Sequence, residues 1–327
     1  MEYLDWLAHN PRYTARYALH VGALCRKTTV KDVAEPERLH HTTVKDLDKL
    51  YMAEQLRRHP LPATTAIGVD EISIRKGHEY RVVVSDLVGQ RPIWFGGTGR
   101  KQIDLEQFFT AYGERRCQGI QVAVMDMWRP FREATHAYAP QAEIVFDKFH
   151  ILRHLNDALD AVRRSEYARV QGDQRRFIKG NRYTLLSHRD NLDLDGRKAL
   201  TTLLAANKRL NIAYLLKESF GQLWDYECEG WARRFFENWK SSLRWQRLEP
   251  FEKFAAMIER HWEGIVSYCK PENKVSLGCV EGLNNTIRVI QRKAYGFRDE
   301  EYLAMKIITH FLPALPDHAK ITHTIPR

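Results

Sequence analysis

Two different periods of hydrophobic residues run along the first half of the chain. Between Thr65 and Leu87, two runs rich in β-branched residues, Ala66–Ile74 and Glu79–Ser85, flank Arg75-Lys-Gly77-His78, a pattern that predicts a hairpin. A third run, Arg91–Phe95, follows the turn signal Val88-Gly89-Gln90, so three strands should meander antiparallel. Asp104–Tyr112 reads as a helix, with Asp104 as its cap and Gln107 three residues on, as in a capping box. A short apolar strand, Gly119–Met125, then ends at Asp126. A helix carrying Phe131, Ala134 and Tyr138 follows, and a further strand, Ala142–Phe146, ends at Asp147. The expected order is β-β-β-α-β-α-β.

From residue 150 to 270 the period changes to 3.6, as in Ile151, Leu155, Leu159 and Val162, and strand signals nearly vanish. This block should be helical. Residues 281–293 predict one more amphipathic helix. Leu283, Ile287, Ile290 and Ala294 lie on one side, Glu281, Asn285, Arg288 and Arg292 on another, and Gly296 marks its end. Near the start, Lys27–Ala34 and His41–Leu47 are spaced like the two helices of a helix-turn-helix. In the second of these, Val44, Leu47, Leu50 and Tyr51 face inward. Thr42, Lys45, Asp46 and Lys49 face outward, where Thr42, Lys45 and Lys49 can meet bases or phosphates. Pro36 and the lack of a glycine in the turn depart from the usual form of that motif.

Composition narrows the partners. The 327 residues carry 51 Lys and Arg against 41 Asp and Glu, a net charge of +10 that suits a polyanion such as nucleic acid. The surplus is regional: residues 61–150 hold 11 basic and 11 acidic side chains, whereas 151–270 hold 22 and 16. No apolar run is long enough for a membrane span and no basic amphipathic helix presents a clean apolar face, so membrane binding is not expected. The opening residues lack the basic region of a signal peptide, so the protein is expected in the cytoplasm. Five cysteines without a C-x-x-C pair write neither a disulfide framework nor a zinc ribbon. In the helical block, Trp224, Trp231, Trp239, Trp245 and Trp262 are interleaved with Arg233, Arg234, Lys240, Arg244 and Arg247. Such tryptophans more often fill a core than stack on unpaired bases, although both uses are open.

Three carboxylates stand out. Asp70 lies on the first strand, Asp126 ends the fourth, and Glu281 sits on the late helix. If the first and fourth strands are neighbours, and the helix packs on their sheet, the three form an oxygen-rich cradle for two Mg²⁺ ions, with Mn²⁺ as a substitute. Asn285 and Arg288 follow Glu281 at i+4 and i+7, and Arg292 and Lys293 extend a basic track beyond them.

Together, Gly68-Val-Asp70-Glu71, Met125-Asp126-Met-Trp128-Arg-Pro-Phe131, Asp147-Lys-Phe-His150, Val280-Glu281-Gly-Leu-Asn284-Asn285-Thr-Ile-Arg288 and Ala294-Tyr-Gly296-Phe297 resemble the ISL-three family of bacterial insertion-sequence transposases. The resemblance spans roughly residues 11–312. It implies an α/β RNase H-like catalytic core, built on a mixed five-stranded sheet, with a large all-α insertion before the Glu and a small N-terminal helix-turn-helix. The DDE triad carries over as Asp70, Asp126 and Glu281. Asp147 also follows a strand, but in such a sheet the fourth strand abuts the first and the fifth lies further out. Asp147 and His150 are therefore expected to support the cluster from beside it.

The corresponding segments are 1–60 (helical, DNA-binding), 61–150 (first part of the core), 151–270 (insertion), 271–312 (the Glu helix) and 313–327 (tail). Similar transposases begin with a cysteine-rich zinc-binding segment, and only Cys25 precedes residue 100 here. The chain is therefore expected to be shortened at its N-terminus. The function implied is Mg²⁺-dependent strand cleavage at element ends and strand transfer into target DNA, with self-association in a synaptic complex and association with the nucleoid. The alternative is a catalytically silent DNA-binding protein or repressor derived from such an element.

Overall fold

A computed structural model describes residues 12–75, 79–274, 278–293 and 298–316. The expected hairpin turn at 76–78, the helix-ending Gly296 with its neighbours Ala294–Phe297, and the tail beyond 316 lie outside the described residues. Two compact units make up the chain. One is drawn from Met1–Ala123, Trp128–Ala142 and Gly278–Arg327, the other from Val124–Met127 and Glu143–Leu277.

The first unit begins with α1 (Ala15–Cys25), α2 (Val30–Ala34) and α3 (His41–Arg58). Thr29 and Asp32 close a reciprocal capping box at the start of α2. Val44, Leu47, Leu50 and Tyr51 are buried, as their spacing predicts, and pack with Ala18, Val21 and Val33. Helices α1 and α3 approach closely because residue 22 is glycine: a Cβ there would lie 2.2 Å from the Cβ of Tyr51. The turn that lacks a glycine places Arg38 in the left-handed region instead, at φ 53°.

Next come β1 (Ala66–Arg75), β2 (Glu79–Asp86) and β3 (Arg91–Gly96), an antiparallel meander, then α4 (Gln102–Tyr112) and α5 (Glu114–Cys117). They are followed by β4 (Val122–Met125), α6 (Arg129–Tyr138) and β5 (Glu143–Phe146). The mixed sheet has the order β3-β2-β1-β4-β5, so β1 and β4 are neighbours, as expected of an RNase H-like core. The N–H groups of Gln121 and Val122 both donate to the Thr65 carbonyl, at 2.7 and 3.0 Å, and anchor the entry to β4 beside the entry to β1.

Two local expectations shift. Strand β4 starts three residues late because Gly119 and Ile120 donate back to Arg116 and Cys117, closing a turn. Helix α4 starts before Asp104, which sits in its first turn rather than at its cap. From there the buried carboxylate accepts from the N–H groups of Thr98 at 2.7 Å and Lys101 at 2.8 Å, which lie outside the helical ladder and need an acceptor.

The second unit contains α7 (Lys148–Arg169), α8 (Gly172–Gly180), α9 (Arg182–Leu186), α10 (Leu194–Ala206), α11 (Lys208–Phe220), α12 (Glu229–Leu243), α13 (Glu249–Arg260) and α14 (Trp262–Val266). Its core is aromatic. Trp239 meets Phe220 edge-on at 4.9 Å and Phe254 at 6.0 Å, and Phe236 packs on Trp262 at 5.2 Å. The chain then returns to the first unit with α15 (Gly278–Lys293) and α16 (Glu300–His310). Among the described residues no helix is long and apolar enough to cross a membrane.

Candidate active site

The contact between β1 and α15 is built from matched periods. Side chains two apart on a strand share a face, and those three or four apart on a helix do likewise. Gly68, Asp70 and Ile72 meet α15 through Val280, Asn284 and Ile287 respectively. At the first of these, a Cβ on residue 68 would lie 2.9 Å from Val280 Cγ2 and 2.9 Å from Leu87 Cδ2, so glycine permits the close approach. At the third, Ile72 joins Val83, Phe95 and Ile287 with Leu303 and Ile307 of α16 in one apolar cluster.

Between these contacts the seam is polar. The Asn284 side-chain N–H₂ donates to Asp70 Oδ2, and the Glu71 N–H donates to Asp70 Oδ1 at 2.8 Å. Asn284 is 4% exposed, and its own Oδ1 is buried with no hydrogen-bond partner. Glu281 lies one helical turn before Asn284 and is exposed. The structure thus brings the Glu281 helix onto Asp70 through an amide that sequence reasoning gave no role. The available signal was a polar residue among Val280, Leu283 and Ile287 on the apolar side of an amphipathic helix.

On the opposite face of β1, Glu71 pairs with Arg100 at 2.5 Å. The Arg100 guanidinium lies 4.9 Å from the Trp128 ring centre, and the Trp128 indole N–H donates to the Arg100 carbonyl at 2.6 Å. These contacts brace the segment immediately beyond Met127.

Asp126 and Asp147 belong to the second unit, where each follows a strand. The Asp147 N–H donates to the Met125 carbonyl at 2.9 Å. The Asp147 carboxylate is occupied: Oδ1 caps α7 through the Phe149 N–H at 2.9 Å, and Oδ2 lies 3.2 Å from His150 Nδ1. Asp126 is half-buried, with Oδ1 accepting from the Met127 N–H at 2.6 Å.

Asn285, Arg288, Arg292 and Lys293 are all exposed on α15. Arg288 donates to Asn285 Oδ1 at 3.1 Å, and Arg292 Nε donates to the Arg288 carbonyl at 3.2 Å, so the basic track is orderly and open to solvent. In the helix-turn-helix, Thr42 is exposed with its hydroxyl 2.8 Å from His40 Nδ1. Lys45 and Lys49 carry carboxylate partners: Asp299 lies 2.6 Å from Lys45 and 3.2 Å from Lys49, and Glu301 lies 2.9 Å from Lys49. Burial would raise the Asp299 carboxyl, but hydrogen bonds from Lys45, the Tyr302 N–H and Lys49 hold it well below the usual carboxylate range.

A cavity of about 1160 Å³ opens in this unit, with Arg26, Lys27, Lys45, Lys293, Arg298 and Lys306 among its walls. Burial, then the nearby Arg26, Lys293 and Lys306, push the His310 imidazole in it below its ordinary value. Asp48 is fully buried at the same wall, held by the Tyr302 hydroxyl and the Lys306 ammonium, each at 2.5 Å. Burial raises its carboxyl despite those partners.

Asp70, Asp126 and Glu281 offer only carboxylate oxygens, which suits a hard divalent cation. Asp70 and Asp126 are half-buried and Glu281 is exposed. That donor chemistry fits Mg²⁺, which keeps several waters and needs few protein ligands. Among the described residues no group of three or more His, Cys, Asp or Glu side chains is gathered closely enough to hold an ion.

Comparison with known proteins adds two family matches. Residues 67–307 match a transposase family model of the DDE ISL3 type, and residues 2–52 match the helix-turn-helix domain of transposase family ISL3. The chain is 34% identical over 314 residues to the transposase for insertion sequence element IS1001 of Bordetella parapertussis, covering 95% of this chain and 77% of that protein. It is 28% identical over 340 residues to the transposase for insertion sequence element IS1557 of Mycobacterium tuberculosis, covering 96% and 76% respectively.

Proposed function

Because the chain belongs to the ISL3 family of insertion-sequence transposases, we propose that it cleaves DNA at the ends of a mobile element and joins those ends to target DNA, using Asp70, Asp126 and Glu281. The observation that carries this reading is the seam in which Asn284 holds Asp70 one helical turn from Glu281. The adjacency of β1, which bears Asp70, to β4, which leads into Asp126, supports the third member.

In this reading Asp70, Asp126 and Glu281 hold Mg²⁺, which supplies Lewis-acid polarisation of a phosphoryl oxygen and a more acidic attacking water. Asn284 and the Glu71 N–H fix the Asp70 carboxylate, and the Met127 N–H fixes that of Asp126. Glu281, itself exposed in the first turn of α15, can follow the substrate. Asp147 and His150 brace the start of α7 rather than contact substrate.

In the first step a water oxygen bonds to the phosphorus at the element end and the 3′ oxygen leaves, taking up a proton. In the second, that 3′-hydroxyl attacks a target phosphodiester, gives up its proton and displaces the target 3′ oxygen. Arg288, Arg292 and Lys293 bind backbone phosphates along α15, with Asn285 beside them. Thr42 faces the duplex directly, whereas Lys45 and Lys49 reach phosphate by giving up Asp299 and Glu301. Bringing two element ends together calls for two copies of the chain. The protein works on DNA inside the bacterial cell.

The test incubates the full chain with labelled element-end DNA in Mg²⁺ or in EDTA, alongside Asp70→Ala, Asp126→Ala and Glu281→Ala. Each variant is expected to bind DNA but to cleave at least about 10²–10³-fold more slowly. Cleavage at the wild-type rate in any one removes that residue from the triad. Metal-independent binding without cleavage by the unaltered chain would favour the repressor.

A further inference from the structure

The five tryptophans of the helical block divide into two kinds. Trp224, Trp239 and Trp262 are buried, as core residues should be, whereas Trp231 is 58% and Trp245 81% exposed. Trp231, Arg234, Asn238, Ser241 and Trp245 follow one another at intervals of three and four residues, which puts them along a single stripe of α12 and the turn just after it. Every one of the five is exposed.

Each exposed indole carries its own cation. The Arg234 guanidinium lies 5.8 Å from the Trp231 ring centre and that of Arg244 lies 5.3 Å from the Trp245 ring centre. Nearby Arg233 and Lys240 are neutralised by Glu237 and Glu259. Among the described residues, Arg234 and Arg244 have no carboxylate partner, and the stripe itself contains no acid. An indole left in water forgoes the burial that makes it favourable in a core.

We infer that this stripe is a binding surface for unpaired nucleic-acid bases, with Trp231 and Trp245 stacking on bases while Arg234 and Arg244 meet the flanking phosphates. A duplex keeps its base faces inside its own stack, so exposed indoles match a single strand or an opened end better than intact double helix. Unneutralised guanidinium groups beside the rings favour a polyanion over an apolar protein surface. The fourteen steps from Trp231 to Trp245, most of them helical, cover roughly 20 Å, the length of about six stacked nucleotides, so one strand can occupy both rings. The inference rests on the chain being a DNA-handling protein but on none of Asp70, Asp126 and Glu281.

The experiment measures binding of the full chain to a fluorescein-labelled twelve-residue oligo-dT and to a blunt duplex, in EDTA so that no metal chemistry intervenes. Trp231→Ala and Trp245→Ala are each expected to weaken oligo-dT binding about tenfold, and duplex binding much less. Trp245→Phe should retain most of the affinity and Trp245→Leu should behave like Ala, because stacking needs a ring and simple apolar contact does not. Arg234→Glu with Arg244→Glu tests the same surface without touching either ring, and should weaken oligo-dT binding at least tenfold. Unchanged oligo-dT affinity in both Trp231→Ala and Trp245→Ala overturns the inference. So does equal binding by the Phe and Leu variants, or a loss of self-association in Trp245→Ala with oligo-dT binding intact, which would make the face a contact between copies of the chain.

Discussion

Helices α15 and α12 break the rule of amphipathic packing in opposite ways. On α15 the apolar side buries Val280, Leu283 and Ile287 but interrupts them with Asn284, whose Oδ1 has no partner. On α12 the inner side buries Ala232, Phe236 and Trp239 in good order, and the irregularity is outside, where Trp231 and Trp245 face solvent. A buried acceptor without a hydrogen bond costs about 1–3 kcal/mol, and an exposed indole gives up a comparable burial term. Neither arrangement serves folding. The first is accounted for by holding Asp70, the second by a contact the isolated chain does not make.

The contrast can be broken most sharply within α12. Trp239 donates its indole N–H to the Leu216 carbonyl at 3.0 Å and packs against Phe220 and Phe254, so Trp239→Ala is expected to cost about 3–5 kcal/mol. Trp245→Ala should change stability by no more than about 0.5 kcal/mol. Urea denaturation of the two variants side by side checks this; similar losses would mean that Trp245 is structural.

Lys306→Met tests a second buried polar anchor in the unit that contains α15. It leaves the Asp48 carboxylate, in a fully buried position, with the Tyr302 hydroxyl as its remaining hydrogen-bond donor, for an expected loss of about 3–5 kcal/mol. Adding Asp48→Asn should restore a large part, because the uncompensated charge is then gone. Thermal melts of the single and double variants give the answer.

At Asn284 the expected loss lies in function more than in folding. Asn284→Ala removes the hydrogen bond to Asp70 Oδ2 and should raise the Mg²⁺ concentration for half-maximal cleavage about 10–100-fold, with the melting temperature little changed. Asn284→Asp sets a second carboxylate against Asp70 and should be worse than Ala at low Mg²⁺. An unchanged Mg²⁺ titration in both would reduce Asn284 to packing.

The smallest effect concerns the acidic start of α16. The Asp299 carboxyl is held low by Lys45, the Tyr302 N–H and Lys49, so its folded value lies below its unfolded one. Its contribution is therefore present above about pH 4, the unfolded value, and is lost as pH falls through the depressed folded value. Asp299→Asn should be slightly less stable than the unaltered chain at pH 6, and the gap should shrink by pH 3. The same variant releases Lys45 and Lys49 and should bind duplex DNA more tightly at low salt.

Much of the architecture was legible in the primary chain because it depends on neighbours. Runs rich in β-branched residues marked β1 and β2, the turn signal at Val88–Gln90 marked β3, and the 3.6 period marked the helical block. The inward set Val44, Leu47, Leu50 and Tyr51 followed from spacing alone. Asp104 was misjudged as a cap because a carboxylate in the first turn can also reach back to N–H groups before the helix, and one-dimensional spacing does not separate the two. Lys45 and Lys49 read as free cations because their partners lie some 250 residues downstream.

The sequence by itself determined which elements form and which side chains share a strand face or a helix stripe, since both are repeats of local backbone geometry. Only the tertiary structure decided that Asn284 meets Asp70, 214 residues away, that Asp48 is closed in by Tyr302 and Lys306, and that two of five similar tryptophans remain uncovered. The physical reason is that a stripe on a helix has no inside or outside of its own. It acquires one when distant segments pack against it, and their arrival is set by the whole core rather than by the residues beside it.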